Sequence, residues 1–569
     1  MVAVNISSFG GMIPSKDARL IPQNHAARAE NAWFYDGTLR GLGLLRHVRN
    51  MNNTAARSVF RLPKVNPSRD NLLDAYWLEF PDEDTTVIKS PVANDQFERY
   101  YISSPLHAPQ YNTRARLENG DPNYVLGVPA PIAAPSVGTV GGSAPTETRA
   151  YVYTWVTSFG EEGPPSPPTL HTGNIDATWN IGMTAPTSGD TTGRPISHVR
   201  IYRAVTTTTG SATYLFVAEL AIATTSYADT SPSSLIAANN PLQSFGWTAP
   251  PAGLDGFVTL PNGMVAGFVN NEVWYCEPYR PHAWPAAYSI NVDYKIVGLG
   301  VVAQALVILT EVAVYAAAGV NPSSVSLTKL TDQEPCTARG SIVSTASGVF
   351  YSSPNGPQLV SQGTVTAVVR ALINKEQWIK KVNVSALRAV MLGTAYMAFG
   401  NIQVGVFQED SFQNDAFPQG DFTGAYSGFL VDTLDGSVAW TDLTSEEPIG
   451  NVLRDVWSGE ILLIKEGKLL WLDVAADEQD PYVWYSKIFQ PPAKKNFQAM
   501  RVFFEGDPAT QLSVFADGRP VMRRPLGPSG SLIRLPSGFK ADFWQVALEG
   551  SAVVSNIQMA TSVQELGNV

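Results

Sequence analysis

The clearest patterning of apolar and polar positions lies between Leu254 and Pro285, LDGFVTLPNGMVAGFVNNEVWYCEPYRPHAWP. Two short apolar runs, Met264 to Val269 and Val273 to Cys276, meet across Asn270-Asn271. Asparagine tolerates positive φ better than other residues that carry a side chain, so the pair predicts a two-residue turn joining two strands. The same unit of apolar run, turn and aromatic strand recurs downstream. Trp274, Tyr315, Phe350, Tyr396, Trp440 and Trp471 are separated by 41, 35, 46, 44 and 31 residues. A spacing of about forty with four short strands per unit is that of propeller blades, which need neighbours to bury both faces. An ordinary barrel or sandwich with aromatic core positions is the alternative. Pro354-Asn355-Gly356, Asp435-Gly436 and Glu466-Gly467 supply turn chemistry between the β-type runs.

Before this region, Ile6 to Phe9 predicts a strand, Gly10-Gly11 a break, Asn24 to Ala32 a short alanine-built helix capped by Asn24, and Asp36-Gly37 a turn. No Gly-Lys-Ser/Thr follows the glycine pair, so it is expected to be a structural turn rather than a phosphate loop. Ala75 to Phe80, Thr85 to Lys89 and Phe97 to Ser103 make most of one blade, and Pro129 to Pro145, PAPIAAPSVGTVGGSAP, is expected to be a linker. After it, Thr148 to Ser158 alternates aromatic and polar residues, followed by Ser197 to Ala204, Tyr214 to Ala221 and Thr225 to Thr230. That order resembles fibronectin type III and related immunoglobulin-like modules, which implies a sandwich with a binding or decorative role. Val365 to Val382 has helical spacing with basic residues late in the run. Phe497 to Glu505, Gln511 to Ala516 and Ala541 to Glu549 predict a last β unit. The fold expected is mainly β, a β-propeller with an inserted immunoglobulin/fibronectin-III-like sandwich and a C-terminal β unit. Its divisions are 1–130 for the N-terminal segment and first blade, 131–250 for the insertion, 251–483 for the remaining blades and 484–569 for the C-terminal β domain.

At 569 residues the chain is too long for one core, and 46 glycines and 41 prolines suit strands and turns better than helices. Its 39 basic and 50 acidic residues give a net charge of −11, with no basic run to grip phosphates. Tight nucleic-acid binding is therefore not expected, whereas a channel wall that does not attract sliding DNA is compatible with this balance. Cys276 and Cys336 are too few for a disulfide scaffold or a structural zinc site and are expected to be buried thiols in a reducing compartment. The opening MVAVNISSFGGMIP predicts no secretory signal. Ile296 to Val320 contains Gln304 and Glu311 and predicts two buried strands rather than a membrane span.

Candidate chemistry is sparse. Histidines 25, 47, 107, 171, 198 and 282 are scattered, and HExxH, GxSxG and CxxC are absent. Glu161-Glu162, Glu409-Asp410 and Asp477-Glu478 are adjacent acid pairs in turn-like surroundings, expected to be solvated, as is Asp82-Glu83-Asp84, whose spacing does not fit a calcium loop. No enzyme activity, catalytic residue, metal site or cofactor is expected.

Three segments resemble the tail nozzle (tail tubular, or DNA stabilisation) proteins of short-tailed bacteriophages. They are the FGG-P…LP…A-A-N pattern from Phe9 to Asn31, GFVNNEVWYCEPYRPHAW from Gly267 to Trp284, and RLPSG…WQV from Arg534 to Val546; the closing Gln564-Glu565-Leu566 is similar as well. The resemblance implies a six-membered homo-oligomeric ring in the virion tail, assembled in the bacterial host cytoplasm below the portal and its adaptor ring. Such a ring extends and closes the DNA-ejection channel and supports tail fibres or a needle, with genomic DNA passing through. The alternative expectation is a carbohydrate-binding or glycan-cleaving β-propeller with a fibronectin-type module.

Overall fold

The computed structural model describes residues 3–34, 36–64, 72, 75–206, 212–403, 426–432 and 439–566. The chain is a mainly β protein built mostly from small antiparallel sheets, with one nine-stranded sheet in which Ala26–Glu30 and Ala439–Ser445 pair in parallel; it is a β-propeller carrying an inserted sandwich and a C-terminal β unit. It divides into two compact units, one of residues Met1–Glu83, Glu311–Val314 and Leu330–Val569, the other of Asp84–Thr310 and Tyr315–Lys329.

The second unit contains three four-stranded meanders. The first joins Thr86–Lys89, Arg99–Ser104, His107–Thr113 and Tyr124–Val125; the second Asp255–Thr259, Val265–Val269, Glu272–Tyr275 and Ser289–Asn291; the third Ile296–Val302, Ala305–Thr310, Val314–Ala318 and Ser326–Thr331. The expected hairpin is present, with Val269 opposite Glu272 and Asn270 at φ 54°. Ile296 to Val320 folds as three strands rather than two, because Ala303 at φ 52° and the Glu311-Val312 corner turn it twice. No helix among the described residues is long and apolar enough to cross a membrane.

Between the first and second meanders lies the sandwich, with one sheet of Ser136–Val140, Thr178–Gly182 and Ser226–Asp229 and another of Thr169–Asn174, Thr146–Thr157, Ile196–Thr206 and Ala212–Ala221. Tyr151, Tyr153, Trp155, Trp179, Ile181, Val199 and Ile201 fill its core. The Pro129 to Pro145 stretch is not simply a linker. Its Ser136–Val140 portion pairs with Thr178–Gly182 and so belongs to the sandwich.

In the first unit, two meanders run Val343–Ser344, Val349–Ser353, Gly356–Ser361, Thr364–Ala367 and Arg388–Leu392, Ala395–Gln403, Tyr426–Asp432, Ala439–Ser445. A third sheet, Asn451–Arg454, Ile461–Lys465 and Lys468–Asp473, takes its fourth strand from Leu44–Asn50 near the other end of the chain. The six counted aromatics mark five sheets, because Tyr396 and Trp440 share one meander. The blade expected across Ala75 to Ser103 is split. Ala75–Phe80 pairs with Ser58–Pro63, and the later two strands begin the first meander of the second unit. The expected Asp435-Gly436 turn lies outside the described residues.

The C-terminal β unit is a second sandwich. Beyond Ala439–Ser445 the sheet continues through Ala26–Glu30, Tyr482–Ser486, Trp544–Gly550, Gln511–Ala516 and Arg519–Pro525. A four-stranded sheet of Ala3–Ile6, Val553–Ala560, Ala499–Glu505 and Ile533–Arg534 forms the other layer. Phe9, Trp484, Phe497, Met500, Leu512, Val546 and Ile557 lie in the shared core, with Phe9 edge-on to Trp484 at 5.1 Å.

Two helical expectations are corrected. Ala26–Glu30 is a strand, with Ala29 opposite Trp484 and Glu30 beside Asp442. Alanine's helix propensity is worth tenths of a kilocalorie and loses to sheet pairing in which Ala26 and Ala29 are wholly buried. Of Val365 to Val382, only Lys375–Lys381 is helical. Asn374 caps it through Gln377, and Trp378 is buried with its indole N–H on the Ser353 carbonyl at 3.0 Å. The strand placed at Ile6 to Phe9 ends at Ile6. Gly11 serves close packing, since a β-carbon there would meet the Trp440 carbonyl oxygen at 2.5 Å.

The hairpin makes a direct prediction. Asn270→Val, which forces a β-branched residue to positive φ, should cost about 1–2 kcal/mol in denaturant unfolding, and Asn270→Gly should be close to neutral. Equal effects of both would contradict the turn.

Candidate functional site

The acid pair expected to be solvated is the best-organised polar feature of the second unit. Glu161 and Glu162 are both buried, in the turn after Thr146–Thr157, where Gly160 takes φ 77°. Successive residues in extended backbone point to opposite sides, and the pair uses this to enter two modules. Glu161 faces the first meander and accepts from Arg99 Nη1 at 2.7 Å, Tyr111 Oη at 2.9 Å and Thr157 Oγ1 at 3.3 Å. Glu162 faces the sandwich and accepts from Thr154 Oγ1 at 2.6 Å, Tyr202 Oη at 2.8 Å and Arg200 Nη1 at 2.9 Å.

Further contacts fix the junction. Phe159 packs edge-on against Phe97 at 4.8 Å and Tyr111 at 6.0 Å. Arg194 donates to the Gly127 carbonyl at 3.1 Å, and the Val125 amide to the Gly193 carbonyl at 2.7 Å. Gly127, at φ 92°, lies where a β-carbon would come within 2.5 Å of Ala249 Cβ, so the chain entering the insertion and the chain leaving it pass in contact. Burial pushes the Glu161 carboxyl above its ordinary range, against the pull of Arg99, Tyr111 and Thr157. Burial would raise Asp95 too, but its bonds to Arg99 outweigh this and hold it below the usual carboxylate range. Arg99 is itself raised despite its burial, by the charges of Tyr101, Glu161 and Asp95 around it and by its hydrogen bonds to the two carboxylates.

The arrangement is a clamp. Two carboxylates that point apart and are each satisfied by three donors do not flank a common bond, as a two-acid glycoside hydrolysis requires. A second buried network stiffens the sandwich from within, where Asp229 accepts from Arg203 at 2.7 Å and Tyr151 at 2.8 Å, and the Tyr151 hydroxyl is pushed up to about 12.

The remaining candidates are dispersed. Asp477 and Glu478 are exposed, Glu83 pairs with Arg388, and Glu409-Asp410 lies outside the described residues. No group of three or more His, Cys, Asp or Glu among the described residues is placed to hold a metal ion. Cys276 and Cys336 are buried, and burial pushes both thiols up to about 12. His282, within the Gly267 to Trp284 segment, is buried edge-on to Trp247 at 5.8 Å, with no partner on Nε2. Burial, reinforced by Arg280 and Arg99, lowers it to about 3.

No protein-family model matches the chain, and no curated protein matches it. Among solved structures, the N-terminal domain of Nup159 is similar over 61% of this chain and 99% of its own, at 10% identity and a TM-score of 0.24. An S. cerevisiae complex of Dbp5 with Nup159, Gle1, IP6 and ADP gives 56% and 81% coverage, 11% identity and a TM-score of 0.25. The propeller rests on the four-stranded meanders themselves.

Two predictions follow from the buried charges. Glu161→Ala leaves Arg99 on Asp95 alone and takes the acceptor from the Tyr111 hydroxyl, so it should cost about 1–3 kcal/mol, against less than about 0.5 kcal/mol for Asp477→Ala, measured by denaturant unfolding. For His282, the unfolded chain takes up a proton near pH 6.5 and the folded one only near 3. Stability therefore falls as pH drops through that window, by roughly 1.4 kcal/mol per unit from this group. His282→Phe should flatten that part of the melting-temperature profile between pH 6.5 and 4.5.

Proposed function

We propose that this chain is a structural protein of a virion tail, a tail nozzle subunit of a short-tailed bacteriophage. It assembles as a six-membered ring that extends and closes the DNA-ejection channel beneath the portal and adaptor ring and holds fibres or a tip needle. The observation that carries this reading is the resemblance in three segments spread from Phe9 to Val546. Two of them supply neighbours in one sheet. Ala26–Glu30 and Trp544–Gly550 pair with opposite edges of Tyr482–Ser486, so the similar residues at the two ends of the chain build a single β unit.

The mechanism is mechanical. The Leu44–Asn50 strand ties residues from the two ends of the chain into one sheet, which suits a wall under pressure. A net charge of −11 keeps phosphate from adhering to that wall, so DNA slides rather than binds. The sandwich, clamped through Glu161 and Glu162, serves as a fixed bracket for other tail components.

Mass measurement and negative-stain imaging of the purified chain, with and without a tail adaptor ring, test this. Rings of about six copies, alone or on the adaptor, are expected. A chain that stays monomeric and ignores the adaptor would contradict the proposal.

A further inference from the structure

Where Glu277-Pro278-Tyr279-Arg280 turns, the Arg280 amide returns to the Glu277 carbonyl at 2.9 Å and Tyr279 adopts φ 61°. A turn with proline second and positive φ third ordinarily takes glycine or asparagine in that third place. Tyrosine there is strained, and such strain gathers where a side chain is wanted for function. The ring is also held: a β-carbon on Gly263 would come within 2.4 Å of Tyr279 Cε1, and the Tyr279 amide donates to the Gly263 carbonyl at 2.9 Å. One side of the ring is thus pinned against a glycine, yet the residue is 53% exposed.

The adjoining residue extends this surface. Arg280 lies over the Trp247 ring at 4.4 Å and donates to Gln243 Oε1 at 3.1 Å, tying the 243–247 segment to the turn. Phe245, in the middle of that segment, is 70% exposed. Tyr279 and Phe245, both exposed, thus lie on two segments that the Arg280 contacts to Trp247 and Gln243 join.

We propose that this surface binds a saccharide, by stacking a pyranose ring on Tyr279 and Phe245 and bonding its hydroxyls to Arg280 and Gln243. A pyranose offers a face of C–H groups, which suits the electron-rich aromatic face, and a rim of hydroxyls, which suits guanidinium and amide. Rigid aromatics lose little entropy on binding, and the Gly263 support lowers that cost further. Nucleic acid fits poorly, since Arg280 is the one lysine or arginine in 243–247 and 277–284 and the chain carries a net −11. The assignment is independent of ring assembly.

The test uses the full chain on an array of purified bacterial capsular and O-antigen polysaccharides with hexaoses of glucose, galactose and N-acetylglucosamine. Retention of at least one saccharide is expected, weakened about tenfold or more by Tyr279→Ala and by Phe245→Ala and preserved by Tyr279→Phe. Tyr279→Gly, which suits the positive φ, keeps the fold and should also lose binding, separating loss of the ring from loss of structure. No saccharide retained, binding untouched by Tyr279→Ala, or preference for single-stranded oligonucleotides on a parallel array would each overturn the assignment.

Discussion

The pairing of Leu44–Asn50 with Lys468–Asp473 is the contact on which the first unit most depends. Leu44–Asn50 pairs the edge that Lys468–Asp473 would otherwise present and becomes the outer strand in its place. Supplying the fourth strand from the other end of the chain completes this sheet and binds the two ends together. The same economy appears at the C-terminal β unit, where Ala3–Ile6 and Ala26–Glu30 are inserted among strands from beyond residue 480. Neither sandwich layer there is complete without the N-terminal residues, so these sheets cannot be finished until chain segments more than four hundred residues apart have met.

Strong local signals were legible in the sequence and long-range ones were not. The hairpin at Asn270 was readable because turn chemistry and strand alternation are both local. The Ala26–Glu30 strand was not: five residues rich in alanine carry a helical propensity, and only the partner Tyr482–Ser486, remote in sequence, overrides it. Counting aromatics recovered the repetition but not the blade boundaries, since Tyr396 and Trp440 occupy two strands of one meander. Four of the insertion's seven strands are legible; Thr169–Asn174 and Thr178–Gly182 are not, and Ser136–Val140 is hidden within residues whose proline and glycine content suggests a tether.

Side-chain roles were the least legible. Adjacent glutamates in a turn are solvated in most proteins, and nothing near Glu161 in the sequence announces Arg99 or Tyr111. Burial of two neighbouring carboxylates is tolerable here because each has three donors, and the outcome is a sandwich fixed on the first meander of its unit rather than tethered to it. Tyr279 illustrates the same limit. Its positive φ and its seat on Gly263 are properties of the folded turn.

The proposed ring around the path of the genome is tested most directly by cryo-electron microscopy of intact phage particles carrying a tagged copy of this chain. Label in a ring about the tail axis, beneath the adaptor, is expected. Particles that lack the label, or carry it away from the tail axis, would contradict it.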